Sequence, residues 1–418
     1  METPVKRKMH QRTQPTKKKK LNEKTEFESS SIYITKLSFV ENPPPHMLAF
    51  KQLFLEDLKS SFTAESTLLT TFCFEETFIA PLIQKGIKTC LVCHSNRKAL
   101  KRVFDHFTLV SPSIQESWGK FHAKLCLVKF PSTLRVVVMS ANLVSYDWNS
   151  IGQVVWFQDF PTGVASGEFY QELSEFVSSI LPDNYNLAEE LGIHLESYDY
   201  SQAKVQLVSS VPGRHKNTLK YGQGRLRNLL RNSNKSFNNL TLQCSSIGNI
   251  NPSMQKEYCL SFANNQDANF EIIFPSVETV RNSHLGLEGG GTTFLKESHY
   301  NAPKFPRESF RDLAAPETFP QVCNHLSHSK VIVAHNNYEY TDDTLIYIGS
   351  HNLSMAAWGK FEKQYSQLFI ANYELGVVFM PETDSSATKN EVVSKIPFKI
   401  PGDSYEGKSP WIINKHLS

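Results

Sequence analysis

A chain of 418 residues, 40% hydrophobic and 20% charged, is too long for one ordinary core and fits two domains of common size. It contains no apolar run long enough to cross a bilayer, and a net charge of +3 is low for a protein that grips nucleic acid over a broad face, so any such contact is a local groove. The charge is concentrated at the start: residues 1 to 20 carry eight basic side chains against Glu2, a local +7 that leaves the rest of the chain at −4.

In chain order, METPVKRKMHQ has neither an apolar core nor a small-residue cleavage site and does not read as a secretory signal. Seven scattered cysteines, an odd number, then read as reduced thiols of an intracellular protein. KRK, eight residues and KKKK have the spacing of a two-part nuclear import signal; a solvated tail that binds acidic polymers loosely has the same composition. Residues 1 to 30 lack hydrophobic periodicity and are predicted to be a disordered basic tail. Order begins at SIYITKLSF, and PPPHMLAFKQLFLEDLKSSF has apolar residues at helical spacing. LLTTFCFEETFIAPLI and IKTCLVCH alternate short apolar runs with turns, an α/β rhythm. Cys90, Cys93 and His94 match the spacing of covalent haem attachment, but the motif lies in an apolar strand-like run and reads as a buried thiol pair. No cysteine and histidine cluster has zinc spacing. A second rhythm starts at VQLVSSV, after the acidic NLAEELGIHLESYDY, which places a domain boundary near residue 200. Residues 285 to 321, rich in glycine and proline, read as a long surface excursion.

An internal repeat organises the chain. HAKLCLVKF passes through PST into LRVVVM and SANLVSYDW, and HSKVIVAH passes through NNYEYTDDT into LIYIG and SHNLSMAAW. Each copy reads strand, turn, strand, Ser-x-Asn-Leu, Trp, and each returns to a strand with a polar residue at its head, Gln153 in GQVVWF and Glu374 in ELGVVFM. Repeated halves of this kind predict two similar α/β domains about an approximate two-fold axis, each giving one copy to a single site.

Side chains alternate along a strand, so His122 and Lys124 share one face, as do His328 and Lys330. Two imidazoles and two ammonium groups converging in this way call for an anion with several oxygens, and phosphate fits. Asn142 and Asn352, at the ends of the adjacent strands, can donate amide hydrogens to the same oxygens. One imidazole, unprotonated, can attack phosphorus while the other, protonated, serves the leaving oxygen and then activates water; both states are accessible to a group with a pKa of about 6.5. No metal or other cofactor is required. Glu374 on one imidazole and Gln153 on the other would orient the rings and separate their pKa values. Trp148 and Trp358 read as core residues, and His325, His335 and His351 as hydrogen-bonded neighbours.

With these residues in hand, the chain resembles the tyrosyl-DNA phosphodiesterases of the phospholipase D superfamily across nearly all of residues 31 to 418. Lipid-type members place an aspartate five residues after the motif lysine, where this chain has Lys129 and His335; the DNA-repair version uses the later asparagine, here Asn142 and Asn352. The resemblance implies a phospholipase D-like α/β fold, two domains of mixed sheet flanked by helices related by a pseudo-two-fold axis, residues 31–199 and 200–418. It implies that His122 is the nucleophile, His328 the general acid and base, Lys124 and Lys330 the phosphate clamps, and Gln153 and Glu374 the supports of the histidines. It also implies single-stranded or frayed DNA 3′ ends as partner. Ser245, Ser246, Ile247, Gly248 and Asn249 resemble a phosphate-gripping loop; Leu353, Ser354, Met355 and Ala356, following Asn352, resemble a second. Trp118, followed by Gly119, stands where the family carries an aromatic that stacks on a base. Met355 occupies a place where a basic residue can stand, and His351 one where a small residue is usual; segments around Arg214 and Trp411 also match family blocks. The implied protein is a nuclear, metal-independent monomer without a membrane. It hydrolyses the 3′-phosphotyrosyl bond left by a stalled type I topoisomerase and leaves a 3′-phosphate. The alternatives are a broader 3′-end phosphodiesterase or nuclease and a catalytically idle DNA-end binding module.

Overall fold

The apolar runs of the two repeats become the central strands of two mixed β-sheets. The computed structural model describes residues 32–41, 43–55, 63–95, 98–316, 320–337, 343–381 and 395–416. The predicted basic tail and its import motif lie outside these residues. Edge to edge, the first sheet runs Met47–Leu48, Ile32–Thr35, Val154–Pro161, Thr133–Met139, Leu125–Lys129, Ser66–Thr71, Lys88–Cys93, Phe107–Ser111, Ala99–Phe104. The second runs Gln206–Ser210, Glu374–Phe379, Leu345–Gly349, Val331–His335, Asn239–Gln243, Asn269–Ile273, Phe310–Arg311.

Removing the outermost strands of the first sheet, Met47–Leu48 and Ala99–Phe104, leaves seven that match the second sheet in order and direction. In each, four antiparallel pairings are followed by two parallel ones. The repeat seen in the sequence is therefore the visible part of a duplicated α/β architecture. Helices Glu76–Gln84 and Pro252–Ala263 occupy equivalent crossovers, each joining its sheet's first parallel pair. The strands are continuous apolar runs buried on both faces, as for sheets covered on both sides. Thr133–Met139 and Val154–Pro161 lie against Leu345–Gly349 and Glu374–Phe379, so the two motif regions meet where the sheets meet. Trp148 and Trp358 are buried, as expected of core residues. No described helix is long and apolar enough to cross a membrane.

Three expectations need correction. Residues 43–55, the described part of the stretch with helical spacing, form no α-helix: they make the short strand Met47–Leu48 and a 3-10 turn, Phe50–Phe54, whose Gln52 side chain accepts from the Ala49 N–H at 2.7 Å. Residues 285–321 are not a surface excursion. They supply the strand Phe310–Arg311 and the buried Phe305 and Phe310, and Gly290 lies flush on the indole of buried Trp411, with no room for a Cβ. Strands two residues long carry no periodicity, which hid them. Lastly, the two His-x-Lys motifs precede their strands, which begin at Leu125 and Val331.

Candidate active site

His122 and Lys124, and likewise His328 and Lys330, lie in extended segments that pair across the two halves. The His122 N–H donates to Tyr373 O at 2.9 Å, one residue before Glu374. The His328 N–H donates to Gly152 O at 2.8 Å, one residue before Gln153. The side chains repeat the exchange: His122 Nδ1 meets Glu374 Oε2 at 2.8 Å, and His328 Nδ1 meets Gln153 Oε1 at 3.1 Å. Each histidine is thus held by the other half of the chain. Ser140 donates to Gln153 Oε1 at 2.8 Å and Ser350 to Glu374 Oε2 at 2.5 Å, while each serine hydroxyl accepts the next N–H along, from Val154 and Leu375. Asn372 adds a bond to Glu374 Oε1 at 3.0 Å and takes the Lys120 N–H at 2.9 Å. These serines lie inside the repeat, but only the fold reveals their function as braces.

Carboxylate and amide oxygens accept, so both imidazoles carry hydrogen on Nδ1 and present Nε2 to the cleft. Burial pushes His122 down to about 4; Glu374 opposes this and the lysines reinforce it. Burial holds His328 well below the usual histidine range, with Lys330 and Lys124 adding to the effect. Both rings are thus neutral near pH 7. Lys124 Nζ donates to His122 O at 2.6 Å, and Lys330 Nζ donates to His328 O and reaches His328 Nε2 at 3.1 Å. Burial lowers Lys124 to about 8, and burial together with Lys124 lowers Lys330 well below the usual lysine range. Burial alone would raise Glu374, but His122 and its hydrogen bond hold it down to about 2.

The sequence reading had two lysines awaiting an anion. The structure adds one that was missed: Asp147, buried beside Trp148, whose Oδ2 accepts from Asn142 N at 2.6 Å and Asn142 Nδ2 at 2.9 Å. The two asparagines, both expected to donate to phosphate oxygens, are held differently. Asn142 has one amide hydrogen committed to Asp147, and its buried Oδ1 has no partner. Asn352 is anchored by its other end, its Oδ1 accepting from Ser246 N at 3.0 Å and Ser245 Oγ at 3.3 Å, so its amide hydrogens remain free for an oxyanion. An aspartate between a tyrosine and a tryptophan was the available signal, but the second copy has Ala357 there and comparison of copies passed over it.

The residues read as DNA contacts divide by burial. Trp118 is 51% exposed, edge-on to Phe369, over which the Arg214 guanidinium lies 4.5 Å from the ring centre. Gly119 is buried with Ala371 O where a Cβ would stand. Ile247 and Leu353 are buried and pair with each other, so their side chains face the core. Gly248 donates to Leu353 O, Ser354 caps the short helix Met355–Trp358, Ala356 O accepts two N–H groups, and Asn249 is exposed. Beside His122, Phe72 lies 5.8 Å away ring to ring and stacks on His94 at 5.0 Å. These two aromatic neighbours were also missed.

The other histidines are neighbours, not site groups. His351 stacks on Trp358, and Tyr347, His351, Ser210 and Ala357 O form a bonded chain that suits a neutral ring; burial pushes it down to about 3. Nδ1 of His325 and of His335 meets a backbone carbonyl. Cys90 and Cys93 are buried thiols. Among the described residues no group of three or more His, Cys, Asp or Glu side chains is placed to hold a metal ion.

A family model described as tyrosyl-DNA phosphodiesterase matches residues 33–406. The chain is 31% identical over 314 residues to tyrosyl-DNA phosphodiesterase 1 of Arabidopsis thaliana, covering 66% of this chain and 49% of that protein. It is 26% identical over 448 residues to a probable tyrosyl-DNA phosphodiesterase of Caenorhabditis elegans, covering 95% and 92%. It therefore spans about half the length of the first relative and most of the second. The crystal structure of the yeast tyrosyl-DNA phosphodiesterase shares the fold, with a TM-score of 0.70 at 17% identity over 92% of this chain and 99% of that one.

Proposed function

The chain belongs to the tyrosyl-DNA phosphodiesterase family, and from that premise we propose that it hydrolyses the 3′-phosphotyrosyl bond between DNA and a stalled type I topoisomerase through a covalent phosphohistidine, leaving a 3′-phosphate. The observation that carries the reading is the crossed support of two histidines, partly buried His122 on a carboxylate and buried His328 on an amide, flanked by Lys124 and Lys330.

Neutral His122 has a free Nε2 lone pair, and Glu374 behind Nδ1 stabilises the charge that builds as Nε2 attacks phosphorus. The bond to the phenolic oxygen breaks, and that oxygen takes a proton from His328. His328 acquires this proton when the substrate's negative charge enters and draws Lys330 off its Nε2. In the second step water attacks phosphorus, His328 takes the water proton, and the bond from phosphorus to His122 breaks. Charge on the non-bridging oxygens is met by both ammonium groups and the free amide of Asn352, contacts that strengthen in the transition state. Exposed Trp118, four residues before His122 and edge-on to Phe369, offers a face to the terminal bases of a single-stranded or frayed end. The protein acts as a monomer, and its basic tail directs it to the nucleus.

A single-stranded oligonucleotide ending in a 3′-phosphotyrosine tests the reading. Incubation with the protein in EDTA should release tyrosine and leave a 3′-phosphate. A reaction that needs added magnesium, or one that leaves a 3′-hydroxyl, overturns it.

A further inference from the structure

The cradle sets groups of opposite sign against each other. Lys124 and Lys330 supply two amines, and Glu374 and Asp147 supply two buried carboxyls to face them. Glu374 is committed to His122. Asp147 stands on the phosphate side of the balance: Lys330 and Lys124 are the cations it feels, and it holds the asparagine of the first half. Its hydrogen bonds are both ones that a carboxylate accepts, from Asn142 N and Asn142 Nδ2, so the geometry suits the anion. Its charge acts on Cys73 and Tyr146, Glu288 also acts on Tyr146, and Glu75 takes the nearby Ser145 N–H. Burial raises the Asp147 carboxyl above the ordinary aspartate range, and its bonds from Asn142 and the two lysines act against that rise.

The duplication supplies a control inside the molecule. The equivalent of Asp147 in the second half is Ala357, and Asn352 is held there by Ser245 and Ser246 without any charge. Holding an asparagine at this place does not need an acid. What the acid adds is a negative charge beside the lysines.

We propose that Asp147 is the resident counter-anion of the cradle: between turnovers it balances the lysines in the electrostatic place that phosphate takes, and so weakens the hold on the phosphate product. This rests on the phosphodiesterase reading of the site. Two like-charged ammonium groups buried together would otherwise bind any tetrahedral oxyanion tightly and release a 3′-phosphate slowly.

Sulfate is a suitable probe, because it is tetrahedral and does not titrate near neutral pH. Calorimetric titration of the full chain at pH 7 should show Asp147→Asn binding sulfate, and separately a 3′-phosphorylated oligonucleotide, at least about tenfold more tightly than wild type. The amide of the variant still accepts the Asn142 N–H, so anchoring is retained and charge alone changes. If that variant does not fold, Asp147→Ser, which also keeps an acceptor, carries the same expectation. A merely structural Asp147 predicts the opposite sign: equal or weaker binding in the variant overturns the proposal while leaving the phosphodiesterase reading intact. Wild type that binds neither probe removes the cradle itself, and the proposal with it.

Discussion

The two halves of the site share a scaffold residue for residue and differ in what is hung on it. Ser140 through Trp148 and Ser350 through Trp358 have the same local structure, a short extended stretch and bridge leading into a helix that begins at Ser145 and Met355. Both serines brace the head of the neighbouring strand, and both lysines bond the carbonyl of their own motif histidine. The halves diverge in three places: the histidine support is Glu374 in one case and Gln153 in the other, the asparagine anchor is Asp147 or the Ser245 hydroxyl with the Ser246 N–H, and position 351 is an imidazole where the first half has Ala141. Duplication builds a symmetric cradle for a near-symmetric phosphate. The proposed reaction is not symmetric, since in it one histidine attacks and the other carries a proton, and the divergent residues would supply that difference.

The shared part gives the largest expected effect. Lys124→Ala and Lys330→Ala should each reduce turnover by about 10² to 10³, since each clamp stabilises transition-state charge by about 3 to 4 kcal/mol. Measured kcat values near wild type in either variant would mean that the halves do not share this role. The divergent support should matter less: Glu374→Gln, which makes the halves alike, should lower kcat by about 10- to 100-fold, the range for a partner that orients and polarises a reacting imidazole. An unchanged rate would show that the carboxylate is not what distinguishes His122.

Two pH effects refine the comparison further. Lys124 must be charged to hold phosphate, and burial has lowered it to about 8, so kcat/KM should fall as pH rises through about 8. Lys124→Arg should move that limb upward, and a limb that stays in place would assign it to another group. The second effect concerns stability. His122 at about 4 and His351 at about 3 lie below the ordinary 6.5, so the native state binds fewer protons than the unfolded chain. Their contribution is present above pH 6.5 and is lost as pH falls toward 4. His351→Ala, which copies the first half, should show a shallower loss of unfolding free energy over that window in urea titrations, although it is less stable at pH 8. An equally steep loss would place the acid sensitivity elsewhere.

Much of the site could be read before the fold was known, because local motifs present twice stand out from a background of 14 histidines. His122, Lys124, His328 and Lys330 announce themselves by repetition, and the seven-strand duplication follows from the same block. What stayed hidden is what occurs once or depends on distant pairing. Asp147 has no counterpart, and Phe72 meets His122, and His94 the N–H of Phe121, only because neighbouring strands end together. The exchange that holds each histidine links residues 252 and 175 positions apart, a register that no local pattern encodes.

The central claim, that the halves divide attack from proton transfer, is tested most directly by trapping. His122→Ala and His328→Ala are each incubated with a 3′-phosphotyrosyl oligonucleotide and resolved on a denaturing gel. A phenol with a pKa of about 10 can leave slowly without acid assistance, but water is not activated once His328 is gone. His328→Ala should therefore accumulate an acid-labile covalent DNA adduct through His122, and His122→Ala should form none. An adduct in His122→Ala alone would reverse the roles, and no adduct in either variant, with wild type cleaving, would contradict covalent histidine catalysis.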